Sequence, residues 1–297
     1  MTTLIVGATG MVGSEICTRL VAQGKAVRAL VRPTSDPAKV SHLKALGVEI
    51  MQGDLRNRAS LDAACRAIET VMTTASSMPF TYKPGENDIR TTDLEGEMSL
   101  IDAAKAAKVR HFVYTSFSGN LDLDFPLRNA KRAVERYLKA SGLTYTILRP
   151  SCFMEVWLSP AVGFDAANAK AVIYGDGTKP LSWITTRDVA AFAVASLGNP
   201  AARNATLELG GPEALTPLQV VKIFEAAQGR KFDVQFVPAD ALKAQQMAAT
   251  DPMQQSFAGL MRCVAAGDAI EMRETLKTFP VKLMSVKEYV QQMMVLA

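Results

Sequence analysis

The chain has 297 residues, 48% hydrophobic and 21% charged, with a formal net charge of +4. These are the values of an ordinary soluble globular protein, and without a basic cluster interleaved with aromatics they argue against a nucleic-acid surface. Only two histidines (His42, His111) and four scattered cysteines (Cys17, Cys65, Cys152, Cys263) are present, so no His-rich zinc or iron site, CxxC pair or His-dependent triad is expected. The N-terminus enters a folded pattern without a signal segment, and no apolar run reaches the roughly 18 residues of a membrane span. A cytoplasmic, reduced protein that makes no membrane contact is expected.

Taken in order, residues 3–7 (TLIVG) read as a strand and 11–22 as a helix. Residues 26–31 (AVRALV) read as a second strand, followed by a helix through Leu46. The strand at 48–54 precedes a helix starting near Ser60, with that serine as its cap. Strand 70–76 leads through a Pro- and Gly-containing loop to a long helix ending near Ala107. Strand 111–116, a helix carrying Lys131, and strand 143–150 close the series. Short apolar strands alternating with helices predict an α/β fold built on a doubly wound parallel sheet.

Beyond Pro150 the pattern loosens. Residues 171–177 and 205–211 read as further strands, some returning to the main sheet, and 186–197 as a helix. The methionines from Met247 to Met272 either fill a core or line a pocket. The expected division is a dinucleotide-binding domain over 1–155 and a smaller mixed substrate or cap region over 156–297.

In LIVGATGMVGSEI, Gly7, Gly10 and Gly13 follow a strand and open a helix. This Rossmann-type turn lets the backbone approach a pyrophosphate at a helix N-terminus. The expected contacts run from Gly7 through Thr9, Gly10, Met11 and Val12 to Gly13. After the second strand, where NAD-binding sites usually carry an acid, the chain reads ALVRPTS, with Arg32 at that point. A guanidinium suits a 2′-phosphate, so NADPH (NADP+) is expected ahead of NADH. Asp54 after the third strand either meets the adenine edge or caps its own turn, with Leu55 covering the ring. Thr74, Ala75 and Ser76 end the fourth strand, where small side chains leave room for cofactor.

GATGMVG, GDLRNRASL, HFVYTSFSG, SGLTYTILRP and TTRDVA together resemble the atypical short-chain dehydrogenase/reductases, and within them the NmrA-like and isoflavone-reductase-like branch. The resemblance implies an NADPH-dependent oxidoreductase that transfers hydride to an aromatic or conjugated acceptor. The Tyr-x-x-x-Lys pair of the superfamily is broken here, because Leu127 stands at the tyrosine position ahead of Lys131. The branch retains a catalytic lysine before a Gly-x-x-Tyr-Thr strand, and Lys131 before GLTYT resembles it, which implies that Lys131 contacts the bound cofactor and takes part in the chemistry. By the same likeness Ser116 and Ser118 are placed on the substrate side, and Pro150 and Phe153 beside the nicotinamide. The substrate is expected to be a small apolar or aromatic molecule and the protein a monomer or homodimer. The loss of the tyrosine supports an alternative, a non-enzymatic NADP(H)-binding redox sensor acting through a protein partner. A scaffold or assembly factor held in shape by the dinucleotide is a third reading.

Overall fold

A computed structural model describes residues 2–78 and 80–296. The strands are β1 (Thr2–Val6), β2 (Ala26–Val31), β3 (Glu49–Gln52), β4 (Thr70–Thr73), β5 (His111–Thr115), β6 (Tyr145–Pro150), β7 (Phe164–Asp165), β8 (Lys170–Tyr174), β9 (Ala205–Leu209) and β10 (Asp233–Val237). The helices of the first half are α1 (Met11–Ala22), α2 (Pro37–Ala45), α3 (Arg58–Ala64), α4 (Glu97–Ala106) and α5 (Pro126–Ala140). They are followed by α6 (Met154–Trp157), α7 (Thr186–Ala195), α8 (Pro217–Gln228), α9 (Ala239–Ala248), α10 (Pro252–Ala266), α11 (Arg273–Thr278) and α12 (Val286–Leu296).

Seven strands form one sheet in the order β3-β2-β1-β4-β5-β6-β9, and every pairing among β1–β6 is parallel. A parallel sheet covered on both faces needs strands apolar on both sides, and β4 is buried along its whole length. The core sets Leu4, Val71, Phe112 and Ile147 of the strands against Leu61 of α3, Leu100 and Ile101 of α4 and Val134 of α5. Each such side chain contributes roughly 1.5–3 kcal/mol on burial. Strand order reverses between β1 and β4, which creates a switch-point crevice at the carboxyl ends of these two strands.

The chain divides into two compact units. The first runs to Ser116 and adds Asn129–Arg149 and Val189–Leu207. The second comprises Phe117–Arg128, Pro150–Asp188 and the chain from Glu208 on. It contains a three-stranded sheet, β10-β8-β7, with β10 parallel and β7 antiparallel to β8. The rings of Phe164, Phe224 and Phe232 pack at centroid distances of 4.8 to 6.0 Å in its core.

Of the two later strands expected from sequence, β9 joins the main sheet and β8 does not. Ser60 does not cap α3. Asn57 does, accepting from the Ser60 N–H at 3.2 Å, while the Ser60 hydroxyl donates to the Asn57 and Asp54 carbonyls. The helix ending near Ala107 begins with a π-helical segment, Ile89–Gly96, set by a reciprocal cap between Asp88 and Thr91. Met272 is buried and Met247 is exposed, so the methionines of this region share no single role. Among the described residues no helix is long and apolar enough to cross a membrane.

Candidate active site

The glycine turn leaves β1 at Gly7, whose φ of +84° favours glycine. The Gly10 N–H donates to the Gly7 carbonyl at 2.9 Å and tightens the turn. A Cβ at Gly7 would lie 2.8 Å from Thr74 Oγ1 and 2.9 Å from the Ala75 nitrogen; one at Gly13 would lie 2.2 Å from the Gly7 oxygen. These two glycines let β1, α1 and the end of β4 approach one another. Gly10 is different: an added Cβ would meet only the Gly7 oxygen, at 3.2 Å. Gly10 gives α1 no side-chain cap, so the N–H groups of its first turn face outward as donors for an anion. Thr9 is half-buried and Met11 exposed beside this turn, while Val12 packs inward.

Arg32 follows β2 directly and is half-buried. Its guanidinium has no hydrogen bond or ion pair among the described residues, although it lies within electrostatic range of Asp54. Asp54 accepts from the Arg56 N–H at 2.9 Å and from Arg56 Nε and Nη2 at 3.0 and 2.9 Å. That guanidinium holds the Asp54 carboxyl below its ordinary range. Of the two roles left open by sequence, the turn contact is therefore the one the protein's own groups make. Leu55 is buried against Gly96, where a Cβ would come within 2.8 Å of the leucine Cβ.

Lys131, on α5, is only 4% exposed. Its Nζ lies 3.3 Å from Asp93 Oδ1, donates to the Ala75 carbonyl at 3.4 Å, and stands 5.3 Å from the centre of the Tyr114 ring. Asp93 is fully buried and also accepts from Ser76 Oγ at 2.7 Å, Ser77 N at 3.0 Å and Ser77 Oγ at 2.5 Å. One carboxylate thus ties the loop after β4 to the Lys131 ammonium. Beside it Glu97 is fully buried, accepting from Thr73 Oγ1 at 2.7 Å while its second oxygen has no partner among the described residues. Burial pushes the Glu97 carboxyl up to about 7, against the opposing pull of Lys131 and the Thr73 hydrogen bond. A cation held at the end of β4 by a carboxylate can stabilise developing negative charge or hold a proton.

The expected serines sit in other networks. Ser116 Oγ donates to Glu135 Oε1 at 2.6 Å, and the same carboxylate takes Arg132 Nη1 at 2.8 Å and Arg149 Nη2. In the second unit Ser118 Oγ donates to the buried Asp268 at 2.7 Å. The Ser118 N–H donates to the Pro150 carbonyl at 2.9 Å. Phe153 is half-buried, pairs with Ile184 in an isolated bridge and begins α6. Cys152 is buried, which keeps its thiol protonated and unreactive. Leu127 is buried, its N–H donating to Ser256 Oγ at 3.1 Å.

Lys131, Ala75 and Ser76 are therefore joined in one network, and Gly7, Gly13 and Thr74 in the adjoining turn; Ser116 belongs with Glu135. Asp93 and Glu97 were not anticipated. Their signal lies in RTTDLEGEMSLIDAA: two acids four residues apart continue into the apolar stripe of Leu100, Ile101 and Ala104. An acid on a buried helical stripe requires a partner.

The profile of the NmrA-like family matches residues 1–290. The chain is 32% identical over 261 residues to an NAD(P)H azoreductase from Xenophilus azovorans, covering 87% of this chain and 84% of that protein. It is 30% identical over 245 residues to the photosystem II assembly factor Ycf39 of Trieres chinensis, covering 82% and 74%. The NADPH-dependent quinone oxidoreductase QOR2 from Escherichia coli, solved in complex with NADPH, superposes with a TM-score of 0.78. That match covers 98% of this chain and 99% of the other at 24% identity, a likeness of fold.

Proposed function

Because this chain belongs to the NmrA-like family, we propose that it is an NADPH-dependent reductase of small aromatic or conjugated acceptors, quinone- or enone-like. The observation that carries this reading is the buried Lys131 held by Asp93 and the Ala75 carbonyl at the end of β4, the strand next to the glycine turn. Similarity to a protein named as an NAD(P)H azoreductase supports it.

The residues present fit a dinucleotide phosphate. The first turn of α1 lacks a side-chain cap, Gly10 is open to close approach, and Arg32 has a guanidinium without a hydrogen-bond partner among the described residues. When bound, NADPH supplies the hydride. The backbone from Gly7 to Gly13, including Thr9, Met11 and Val12, would hold the pyrophosphate, and Arg32 the 2′-phosphate. Leu55, Thr74, Ala75 and Ser76 would form the walls of the groove. Lys131 holds a proton on Nζ and offers positive charge to an acceptor oxygen or nitrogen as it becomes negative. Asp93 keeps that ammonium in place. No tyrosine is needed, since a reduced quinone takes its remaining proton from water. Four buried free cysteines suit a reduced compartment, and we place the protein in the cytoplasm.

The test is NADPH oxidation by the purified protein against quinones, enones and azo dyes, with NADH in parallel. Turnover with NADPH favoured over NADH is expected. Tight NADPH binding without turnover of any acceptor would replace this reading with a second one, a dinucleotide-holding assembly factor, which the likeness to the Ycf39 protein supports.

A further inference from the structure

Two carboxyl groups flank one ammonium in the buried cluster, and their surroundings are unequal. Asp93 has four donors around it: Ser76 Oγ, Ser77 N, Ser77 Oγ and Lys131 Nζ. Glu97 has one, the Thr73 hydroxyl, and its Oε2 is buried with no partner among the described residues. A carboxylate so poorly solvated is easily neutralised by a proton, whereas one with four donors has its charge solvated by the protein itself. The charged and titratable groups around Glu97 are Lys131 from α5, Asp93 from the π-helical segment and Tyr114 from β5. Around the same tyrosine stand Glu135 and Arg132, with Arg149 completing the Glu135 pair.

We propose that Glu97 is a positioning residue that acts through Lys131 as a charge switch, setting the pH range in which the site can accept negative charge. This rests on the reductase reading above. With Glu97 protonated, the Lys131 ammonium is balanced by Asp93 alone, and the cluster is neutral. With Glu97 ionised, the cluster carries one net negative charge in a buried place. Hydride transfer to a quinone or enone puts negative charge on the acceptor oxygen, and a second buried anion opposes it. The value near 7 at Glu97 places the change within the neutral range. At an effective dielectric near 20, one extra charge several ångströms away changes the rate by about tenfold or more.

The experiment is the pH profile of kcat for quinone reduction at saturating NADPH, with wild-type, Glu97→Gln and Thr73→Val proteins. Wild type is expected to lose about tenfold in kcat between pH 6 and pH 8.5, roughly the effect of one buried charge. Glu97→Gln should abolish that fall. Thr73→Val removes the one donor that stabilises the carboxylate, so it should move the fall to higher pH. An alkaline fall that persists unchanged in Glu97→Gln overturns the proposal. If wild type reduces no acceptor at any pH, the reductase reading fails instead, and thermal unfolding against pH judges the switch. The Tm advantage of Glu97→Gln over wild type should then grow from pH 5 to pH 8, windows set by the raised carboxyl; a constant difference overturns the switch by itself.

Discussion

Lys131 Nζ and Asp93 Oδ1 stand 3.3 Å apart, and both side chains are buried. An intact buried pair adds little net stability over an apolar one, but removing one partner leaves an uncompensated charge that costs about 3–5 kcal/mol. Lys131→Met alone should therefore lower stability by about that amount. Asp93→Asn added to it should recover a large part of the loss, so the two changes are far from additive. Urea unfolding of the two single variants and the double variant measures the coupling; additive losses would show that the pair does not act as a unit. Lys131→Ala should also cut kcat by at least about a hundredfold, the scale of losing one group that stabilises developing negative charge, while the NADPH Kd stays within a few-fold.

The glycine turn allows fold and cofactor approach to be separated. Gly10 has an ordinary φ of −83°, and an added Cβ meets only the Gly7 oxygen at 3.2 Å. Gly10→Ala should change stability by less than about 1 kcal/mol yet weaken NADPH binding by at least about tenfold, because the methyl group occupies the side where the backbone meets phosphate. Gly13→Ala, with a Cβ 2.2 Å from the Gly7 oxygen, should damage the fold itself. Tm and fluorescence titration with NADPH, run on both variants, distinguish the two effects; equal losses of binding and stability in Gly10→Ala would remove the turn from the cofactor site.

Arg32 follows β2, its guanidinium has no hydrogen-bond partner among the described residues, and the nearby Asp54 is occupied by Arg56. Hydrogen bonds to charged groups are worth about 1.5–3 kcal/mol. Arg32→Ala should accordingly raise the Kd for NADPH by about 10- to 100-fold and leave that for NADH unchanged. Parallel titrations with both dinucleotides read this out. A proportional loss for both would mean that Arg32 does not recognise the 2′-phosphate.

Periodicity and glycine spacing made the parallel sheet and the glycine turn legible from the sequence, because each leaves its pattern in residues adjacent in the chain, and the end of β2 marked Arg32 as a candidate. Lys131 was legible as a candidate, but its burial was not: flanked by Arg128, Arg132 and Arg136, it has the local sequence of a solvated face. Its partners come from 38 and 34 residues earlier, on a π-helical turn continuing into α4, and sequence periodicity at 3.6 residues carries no sign of a π turn. Ser116 shows the converse. Its position after β5 suggests a substrate contact, but Glu135, one turn past Lys131 on α5, is within reach of its hydroxyl. Which polar group pairs with which depends on the packing of α5 against the strands, a long-range outcome that no local pattern encodes.

The Glu135 network gives an acid-side prediction. Burial pushes this carboxyl up, but Arg149, the Ser116 hydroxyl and the charge of Arg132 prevail and hold it below its ordinary 4.5. A depressed carboxyl stabilises the fold above its unfolded value and loses that contribution as pH falls through the lower folded value. Wild-type stability should therefore drop below about pH 4.5, and Glu135→Gln, less stable at neutral pH, should show a weaker acid dependence. Ser116→Ala removes one donor from this carboxylate and should cost about 1–3 kcal/mol, with kcat within a few-fold of wild type. Guanidinium unfolding from pH 3 to pH 7 with quinone turnover at pH 7 decides the matter. A collapse of kcat at unchanged stability would return Ser116 to the substrate side, because a hydroxyl that serves only Glu135 affects the fold and not the chemistry.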